Sequence, residues 1–383
     1  MRIFSAFIIL LAIHSFTYSQ TEFDFSGYIN EIPMGQFSNE KLSSTFGIDK
    51  SFYLNLTRIR LRPVVYFGDN SRINLELESA VLLYQNITGF LASNADKTSR
   101  QLVSAKWLIK NNKNLSILNF IDRLYYRQDF DWGNVIIGRQ RISWGTGRVW
   151  NPVDLFNPIN PTSFYKIEKD GADAVSLKYY LGSFSDLNIV FNPMNKLSES
   201  NFGFRLRTNF GESDLSFISG KFDGKYIAGY DFAGNLGDAG IRSEGLIKFE
   251  SNLPFEDKVQ FIAGIDYQFT PKLYCLLEYH YNGEGEKNKF NYRLDKLMKG
   301  EILNLNKNYL AFSGMYQITP LLNSTLMMLN NMNDKSIFSS LTFSYSYTDN
   351  LYLNFGGQIF NGEDFTEYWY YPQTAFIQVE YYF

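Results

Sequence analysis

The sequence of 383 residues contains one cysteine, Cys275, and two histidines. A single cysteine excludes an internal disulfide, and so few histidines leave no histidine–cysteine spacing for a metal site. The apolar run Ile3 to Ile13 has 11 residues, fewer than the roughly 18 that a spanning helix needs, and no later run approaches that length. Basic runs are also missing, which argues against nucleic-acid binding. The fold must therefore close by hydrogen bonds and packing, without transmembrane helices.

The first residues have the pattern of an export signal. A basic residue, Arg2, precedes the apolar run, and a short polar stretch with Thr17 and Ser19 follows it. A basic start, an apolar core and small side chains before a polar residue are typical of a secretory signal peptide. The sequence therefore predicts a signal peptide over residues 1–19, cleaved after Ser19. Residues 20–383 show no linker or repeat and are predicted to form a single domain.

Composition and periodicity predict β-structure throughout that domain. Aromatic residues make up 17% of the chain and hydrophobic residues 45%, yet the mean hydropathy is only −0.22. Apolar side chains recur at every second position, for example from Val259 to Phe269, as expected for strands with one apolar and one polar face. This alternation predicts about eighteen strands near 23–31, 51–66, 71–84, 116–130, 133–144, 172–182, 185–192, 201–211, 213–221, 225–236, 240–251, 258–270, 272–282, 307–319, 321–331, 335–348, 350–360 and 374–383.

The connections between these strands alternate in length. Tight turns such as 68–70, 131–133 and 270–271 are separated by longer loops near 32–50, 85–115, 145–171, 283–306 and 361–373. Alternating polar and apolar faces with short turns at one end are typical of outer-membrane barrels, whose short turns are periplasmic. The predicted fold is therefore all-β: a transmembrane antiparallel β-barrel of about eighteen strands. Sixteen strands remain an alternative, because 185–192 and 213–221 are the weakest patterns. For residues 101–110 a short helix within the loop is an open alternative.

Three segments carry a family resemblance. They are 121–127 (IDRLYYR), 138–145 (GRQRISWG) and 151–158 (NPVDLFNP). Together they resemble a recurring feature of porin-like outer-membrane barrels, and the architecture more distantly resembles phosphate-selective porins and the alginate exporter. The resemblance implies an arginine-lined interior. The last strand ends in Phe383 after apolar residues at alternate positions, which resembles the signal that the barrel-assembly machinery recognises.

The arginines are placed on shared strand faces. A basic side chain facing lipid at the midplane of a barrel costs roughly 2–4 kcal/mol, so four outward arginines would cost about as much as a whole domain's stability. These side chains are therefore predicted to face the lumen as a basic wall. The wall comprises Arg58, Arg60, Arg62, Arg123, Arg127, Arg139, Arg141, Arg205 and Arg207.

The turns predict which residues face each other across two hairpins. A turn centred on Asp69 places Arg62 opposite Glu76 and Arg60 opposite Glu78, so those acids would neutralise the two arginines.

A turn centred on Trp132 places Arg123 opposite Arg141 and Tyr125 opposite Arg139, with no acid between them. The missing counter-charge would be either a passing anion or an acidic loop folded inward.

The 145–171 loop is the candidate for such an acidic loop. It carries Asp154, Glu168 and Asp170, and three Asn-Pro pairs stiffen its turns. An inward position would make it a constriction loop, whereas the alternative is an ordinary surface loop.

The expected function is passive diffusion of small, anionic, hydrophilic solutes through an outer-membrane porin, because positive side chains in a pore favour anions. Two alternatives stay open: a polymer-export barrel, and a non-conducting structural or adhesion barrel whose arginines buttress a plugged interior. No cofactor, metal or nucleic-acid partner is expected. Outside the signal peptide His280 is the sole histidine, and the pair Glu278–His280 is a weak basis for catalysis. We therefore expect no enzyme.

Overall fold

A computed structural model describes residues 21–47, 49–84, 100–156, 161–162, 168–251, 253–294, 297 and 302–383. Within these residues, nineteen strands form a single antiparallel sheet. They are β1 (Thr21–Phe37), β2 (Ser51–Phe67), β3 (Ser71–Tyr84), β4 (Lys106–Asn111), β5 (Leu115–Phe130), β6 (Gly133–Gln140), β7 (Ala172–Tyr180), β8 (Asp186–Asn192), β9 (Asn201–Phe210), β10 (Ser213–Phe222), β11 (Lys225–Leu236), β12 (Ala239–Phe249), β13 (Val259–Thr270), β14 (Leu273–Asn282), β15 (Asn308–Thr319), β16 (Leu322–Asn331), β17 (Ile337–Ser346), β18 (Leu351–Asn361) and β19 (Gln373–Tyr382).

Eighteen of these strands close into a barrel, because β1 pairs with both β2 and β19. All eighteen coincide with predicted strands, including the two weakest, so the predicted all-β transmembrane barrel is confirmed. The closing seam depends on a glycine: the ring of Phe383 lies where a side chain on Gly27 would be, and a Cβ there would meet Arg60 O at 2.4 Å. The seam is thus packed too closely for any side chain at position 27.

The alternation of side chains separates an inner from an outer face. On β1, Tyr28, Asn30 and Ile32 are buried, whereas Phe25 and Ile29 between and beside them are exposed. Residues that are paired across neighbouring strands lie on the same face of the sheet. Following the pairs from β1 around the barrel therefore identifies the inner face of each strand. The outer face carries mainly aromatic and aliphatic side chains, as a lipid-facing surface requires.

Over the part of the chain that the structure describes, strand β4 is the one addition to the predicted set. It pairs with the upper half of β5, where β6 has already ended at Gln140. The helix left open for residues 101–110 is therefore wrong, since Lys106–Asn111 are extended. The reason lies in the chain's path: β6 leaves the barrel wall early, and β4 pairs with the edge of β5 that would otherwise be exposed.

Most connections at one end of the barrel are tight turns, and those at the other end are longer. The longer end carries helix α1 (Glu40–Phe46) and the short helix α2 (Phe255–Lys258). In the described part of the chain, no helix has the length and apolarity needed to cross a membrane. The predicted signal peptide, residues 1–19, lies outside the described residues.

Candidate functional site: an infolded segment and an arginine network

The connection between β6 and β7 runs inside the barrel. This infolded segment, residues 141–171, is described over 141–156, 161–162 and 168–171. Its contacts reach inner-face groups on widely separated strands: Glu168 binds Arg60 on β2, Trp150 packs on Tyr309 of β15, and Thr162 O accepts from Gln358 on β18. A segment can touch strands on so many sides of a closed barrel only from within.

Apolar packing anchors the segment on two sides. On one side Ile142, Trp144, Val153 and Phe156 join a buried cluster with inner-face residues of β7 to β12. On the other side Trp150 joins a second buried cluster formed by β13, β15, β16, β17 and β18. Trp144 is therefore an interior core residue.

Hydrogen bonds to two buried glutamates hold the backbone between these clusters. Glu244 on β12 accepts from three backbone N–H groups of the segment, and Glu278 on β14 accepts from three others. The donors to Glu244 are Thr146 (2.5 Å), Gly147 (2.6 Å) and Val153 (3.4 Å). The donors to Glu278 are Arg148 (2.9 Å), Val149 (3.2 Å) and Trp150 (2.8 Å). Among the described residues neither glutamate forms an ion pair, so the segment's own backbone satisfies both carboxylates.

The glycines of this stretch explain part of the sequence motif. Gly145 has φ +92°, a left-handed conformation that L side chains rarely adopt, and a Cβ there would meet Glu244 Oε1 at 2.5 Å. At Gly147 a Cβ would lie 2.0 Å from Trp150 O. Both positions therefore require glycine for the backbone to reach the glutamates.

A dense ion-pair network lies where the segment meets β2, β3 and β5. Four inner-face arginines and four carboxylates form it, so its formal charge is zero (+4 − 4). The closest ion pairs are Arg58–Glu78 (2.9 Å), Arg60–Glu78 (2.6 Å), Arg60–Glu76 (2.9 Å), Arg60–Asp122 (2.8 Å), Arg60–Glu168 (2.7 Å), Arg123–Glu76 (2.9 Å), Arg123–Glu168 (2.9 Å) and Arg62–Glu168. We call these eight residues the arginine network.

The first hairpin has the expected register, since Arg60 lies directly opposite Glu78. The expectation of an uncompensated basic hairpin is wrong at Arg123, which pairs with Glu76 and with Glu168 of the infolded segment. Two counter-charges were expected for this hairpin, a passing anion or an acidic loop folded inward. For Arg123 the structure contains the acidic loop.

The second hairpin departs from its predicted register by one residue. The turn has two residues, so Arg139 lies opposite Leu124, not Tyr125. A one-residue shift moves every side chain to the other face. Arg139 is therefore on the outer side of β6, where it pairs with Asp173 at 2.7 Å and donates to Ile121 O at 2.8 Å. Its guanidinium also donates to Val103 O. This contact holds the chain around Val103 close to the end of β6.

The remaining predicted arginines are spread around the barrel. Three of them pair with nearby acids: Arg127 with Asp129 (2.6 Å), Arg205 with Asp231 (3.2 Å) and Arg207 with Asp186 (2.8 Å). Arg141 is exposed at the start of the infolded segment, just past the end of β6.

The segment carries two further predicted acids, Asp154 and Asp170. Asp154 is buried and pairs with Lys169 of the same segment. Asp170 is partly buried near the segment's end.

One face of the infolded segment remains open to solvent. Arg141, Ser143 and Arg148 are exposed, whereas the intervening Ile142 and Trp144 are buried. Solvent access to side chains on a segment that lies within the barrel means that packing does not fill the interior completely.

Sequence reasoning missed two features of this interior. Arg72 lies directly opposite Arg127, and its Nε is buried without a hydrogen-bond partner among the described residues. The second feature is Glu244, which the sequence analysis did not identify, although the alternation along β12 predicts that its side chain faces inward. What no local pattern contains is the identity of its donors, which lie 91 to 98 residues away in the chain.

No metal or cofactor site emerges from the carboxylates of the network. Ligand oxygens of Glu76, Asp122 and Glu168 lie within 4.8 Å of one another, a spacing suitable for a cation. However, Arg60 donates to all three of these carboxylates. The guanidinium thus supplies the positive charge that a metal would bring.

Three loops at the longer end are joined by a separate hydrogen-bond cluster. Glu367 accepts from Tyr309 Oη (2.5 Å), Asn331 Nδ2 (2.8 Å) and Leu305 N (3.1 Å). Its own N–H donates to Asp334 at 2.8 Å. Burial raises the pKa of Glu367 to about 7, with Asp334 adding to the shift and the hydrogen bonds opposing it.

Solved structures share this architecture. The chain matches the crystal structure of Acinetobacter baumannii OccAB4 with a TM-score of 0.56 and 11% identity, covering 95% of this chain and 98% of that one. It matches a double mutant of the Rhodopseudomonas blastica porin with a TM-score of 0.50 and 10% identity, covering 94% and 100%. No protein-family model and no curated protein sequence matches. At these identities the likeness concerns the fold, and the chain has a porin-like β-barrel fold.

Proposed function

We propose that the protein is an outer-membrane channel for passive diffusion of small hydrophilic solutes, exported by its signal peptide in a Gram-negative bacterium. The observation that carries this proposal is the solvent-exposed face of the infolded segment, represented by Arg141, Ser143 and Arg148. Barrels of sixteen to eighteen strands leave room for an aqueous channel. The porin-like fold also favours a channel over an enzyme.

We further propose a modest preference for anions. The arginine network is formally neutral and Arg127 is paired with Asp129, so the preference would rest on the exposed Arg141 and Arg148 and on Arg72 of β3. Positive side chains along a pore attract anions and repel cations. Because most other arginines are paired with acids, the selectivity expected is weaker than that of a fully uncompensated basic pore.

Liposome swelling tests the diffusion proposal. Vesicles containing the refolded protein should swell in isotonic solutions of small neutral and anionic solutes, at rates that fall with solute size. Empty vesicles are the control. Vesicles that contain folded barrel and do not swell in any small solute would contradict the proposal.

Charge reversal tests the anion preference. The double variant Arg141→Glu/Arg148→Glu should shift selectivity towards cations, whereas Lys110→Glu, at an exposed position on β4, is the matched control and should not. Equal selectivity in wild type and double variant would remove this part of the proposal.

A non-conducting structural barrel is the second candidate. The contacts of the infolded segment favour this candidate, because Glu168, Trp150 and Phe156 contact three separate parts of the inner face. A segment held in so many places obstructs the interior. A folded barrel that is silent in the swelling assay supports this reading.

A further inference from the structure

Two side chains satisfy most of the backbone donors in the central stretch of the infolded segment. Glu244 and Glu278 are both fully buried, and together they accept from six N–H groups between Thr146 and Val153. A buried N–H group without a partner costs about 1–3 kcal/mol. The segment therefore has a strong preference for the position in which both carboxylates meet its backbone.

This arrangement requires carboxylates in particular. Both oxygens of Glu278 accept, Oε2 from Arg148 N and Oε1 from Val149 N and Trp150 N. A glutamine of the same shape would turn an N–H donor towards backbone donors on one side. The buried acids Glu78 and Asp122 are compensated by arginine side chains, and Asp122 also accepts from Gly171 N at the end of the segment (3.1 Å).

The two glutamates also lie on different strands, β12 and β14, and engage successive parts of the segment. Glu244 holds residues 146–147 and 153, and Glu278 holds 148–150 between them. Two attachment points on non-adjacent strands restrain the segment against both sliding and rotation, which a single attachment would allow.

We propose that Glu244 and Glu278 are the positioning residues that fix the infolded segment and thereby set the size limit and the steadiness of the channel. The second half of this inference rests on the proposed diffusion function, whereas the first half concerns the segment's position alone. The two halves can therefore be tested separately.

Thiol labelling tests the position. Val153 is completely buried against the inner face, so a Val153→Cys substitution in a Cys275→Ser background should react slowly with a small water-soluble thiol reagent. Glu244→Gln or Glu278→Gln should accelerate labelling about tenfold or more, which corresponds to about 1.4 kcal/mol of lost protection. The matched control is Glu380→Gln, because Glu380 accepts only from the neutral side chains of Gln378, Asn354 and Tyr382 among the described residues.

Heat-modified mobility in gels shows whether each variant forms the barrel. If the glutamine variants do not fold, Gly147→Ala disturbs the same contact from the segment's side, since its Cβ would lie 2.0 Å from Trp150 O. Unchanged protection of the thiol in folded variants overturns the positioning role.

Single-channel recording tests the second half. Both glutamine variants should show greater open-channel noise and admit larger solutes than wild type, and Glu380→Gln should not. Labelling that accelerates without any change in noise or size limit overturns the link to the channel. A silent wild type refutes the diffusion function, while the labelling result still decides the positioning role.

Discussion

Neutralising Glu168 should convert the arginine network from electrically neutral to positive. Glu168 is the infolded segment's contribution to the network, and it contacts Arg60, Arg62 and Arg123. In Glu168→Gln the eight residues change from +4 − 4 to +4 − 3. Arg60 keeps three other acids, so the loss falls mainly on Arg62, whose next nearest carboxylate oxygen, on Glu76, lies 3.7 Å away.

The size of the effect follows from Coulomb's law. One uncompensated charge about 5–8 Å from a passing anion attracts it by ~0.5–0.8 kcal/mol in a water-like dielectric. That energy raises the anion permeability about two- to fourfold, and equal repulsion of the cation makes the increase in the anion-to-cation permeability ratio about five- to fifteenfold. The lost charge-assisted hydrogen bonds should also lower stability by about 1.5–3 kcal/mol, without unfolding the barrel.

Reversal potentials in a KCl gradient measure the ratio. The control is Glu168→Gln/Arg62→Gln, which returns the network to zero formal charge and should return the reversal potential towards the wild-type value. A Glu168→Gln channel with unchanged or more cation-selective permeation would refute the placement of this network beside the solute path.

Three further outcomes are expected. Gly27→Ala should destabilise the closing seam by about 1–3 kcal/mol, because a Cβ meets Arg60 O and the Phe383 ring; urea unfolding measures this, and an unchanged midpoint contradicts it. Asp173→Asn should cost about 3–5 kcal/mol in the same assay by leaving the buried Arg139 without its carboxylate, and a loss below 1 kcal/mol would contradict that role. Protease protection of the loops around Glu367 should fall as pH rises from about 4.5 to about 7, since a raised carboxyl pKa makes ionisation unfavourable in the folded cluster; Glu367→Gln should abolish this pH dependence.

The strands could be predicted because each one obeys a local rule. Alternation of polar and apolar side chains and short turn sequences fixed the ranges of strands such as β3 and β11. Strand β4 was missed because its existence depends on a distant event. It pairs with β5 where β6 ends at Gln140, and nothing within residues 101–110 contains that information.

The register of a hairpin could be predicted only where the length of its turn was predicted correctly. The three-residue turn 68–70 was identified correctly, and Arg60 faces Glu78 as expected. The turn at 131–132 is one residue shorter than assumed, because Phe130 pairs with Gly133. That single residue places Arg139 on the outer face and not on the inner face. An error of one residue in turn length therefore predicts the wrong environment for this side chain.

The candidate site was predicted in part. The energetic cost of arginine in lipid directed attention to the arginines of the network, and the acids of the 145–171 loop directed attention to Glu168. The partners of Glu244 and Glu278 could not be inferred, because backbone N–H groups are the same in every residue except proline, which has none. Only the three-dimensional path of the chain shows which N–H groups meet which carboxylate.

The most direct test of the account is planar-bilayer recording of the wild-type protein in a KCl gradient. An interior left partly open by the infolded segment predicts discrete single-channel steps with an ohmic current and a reversal potential on the anion-selective side. Correctly folded barrels that insert and give no steps, or that are cation-selective, would contradict it.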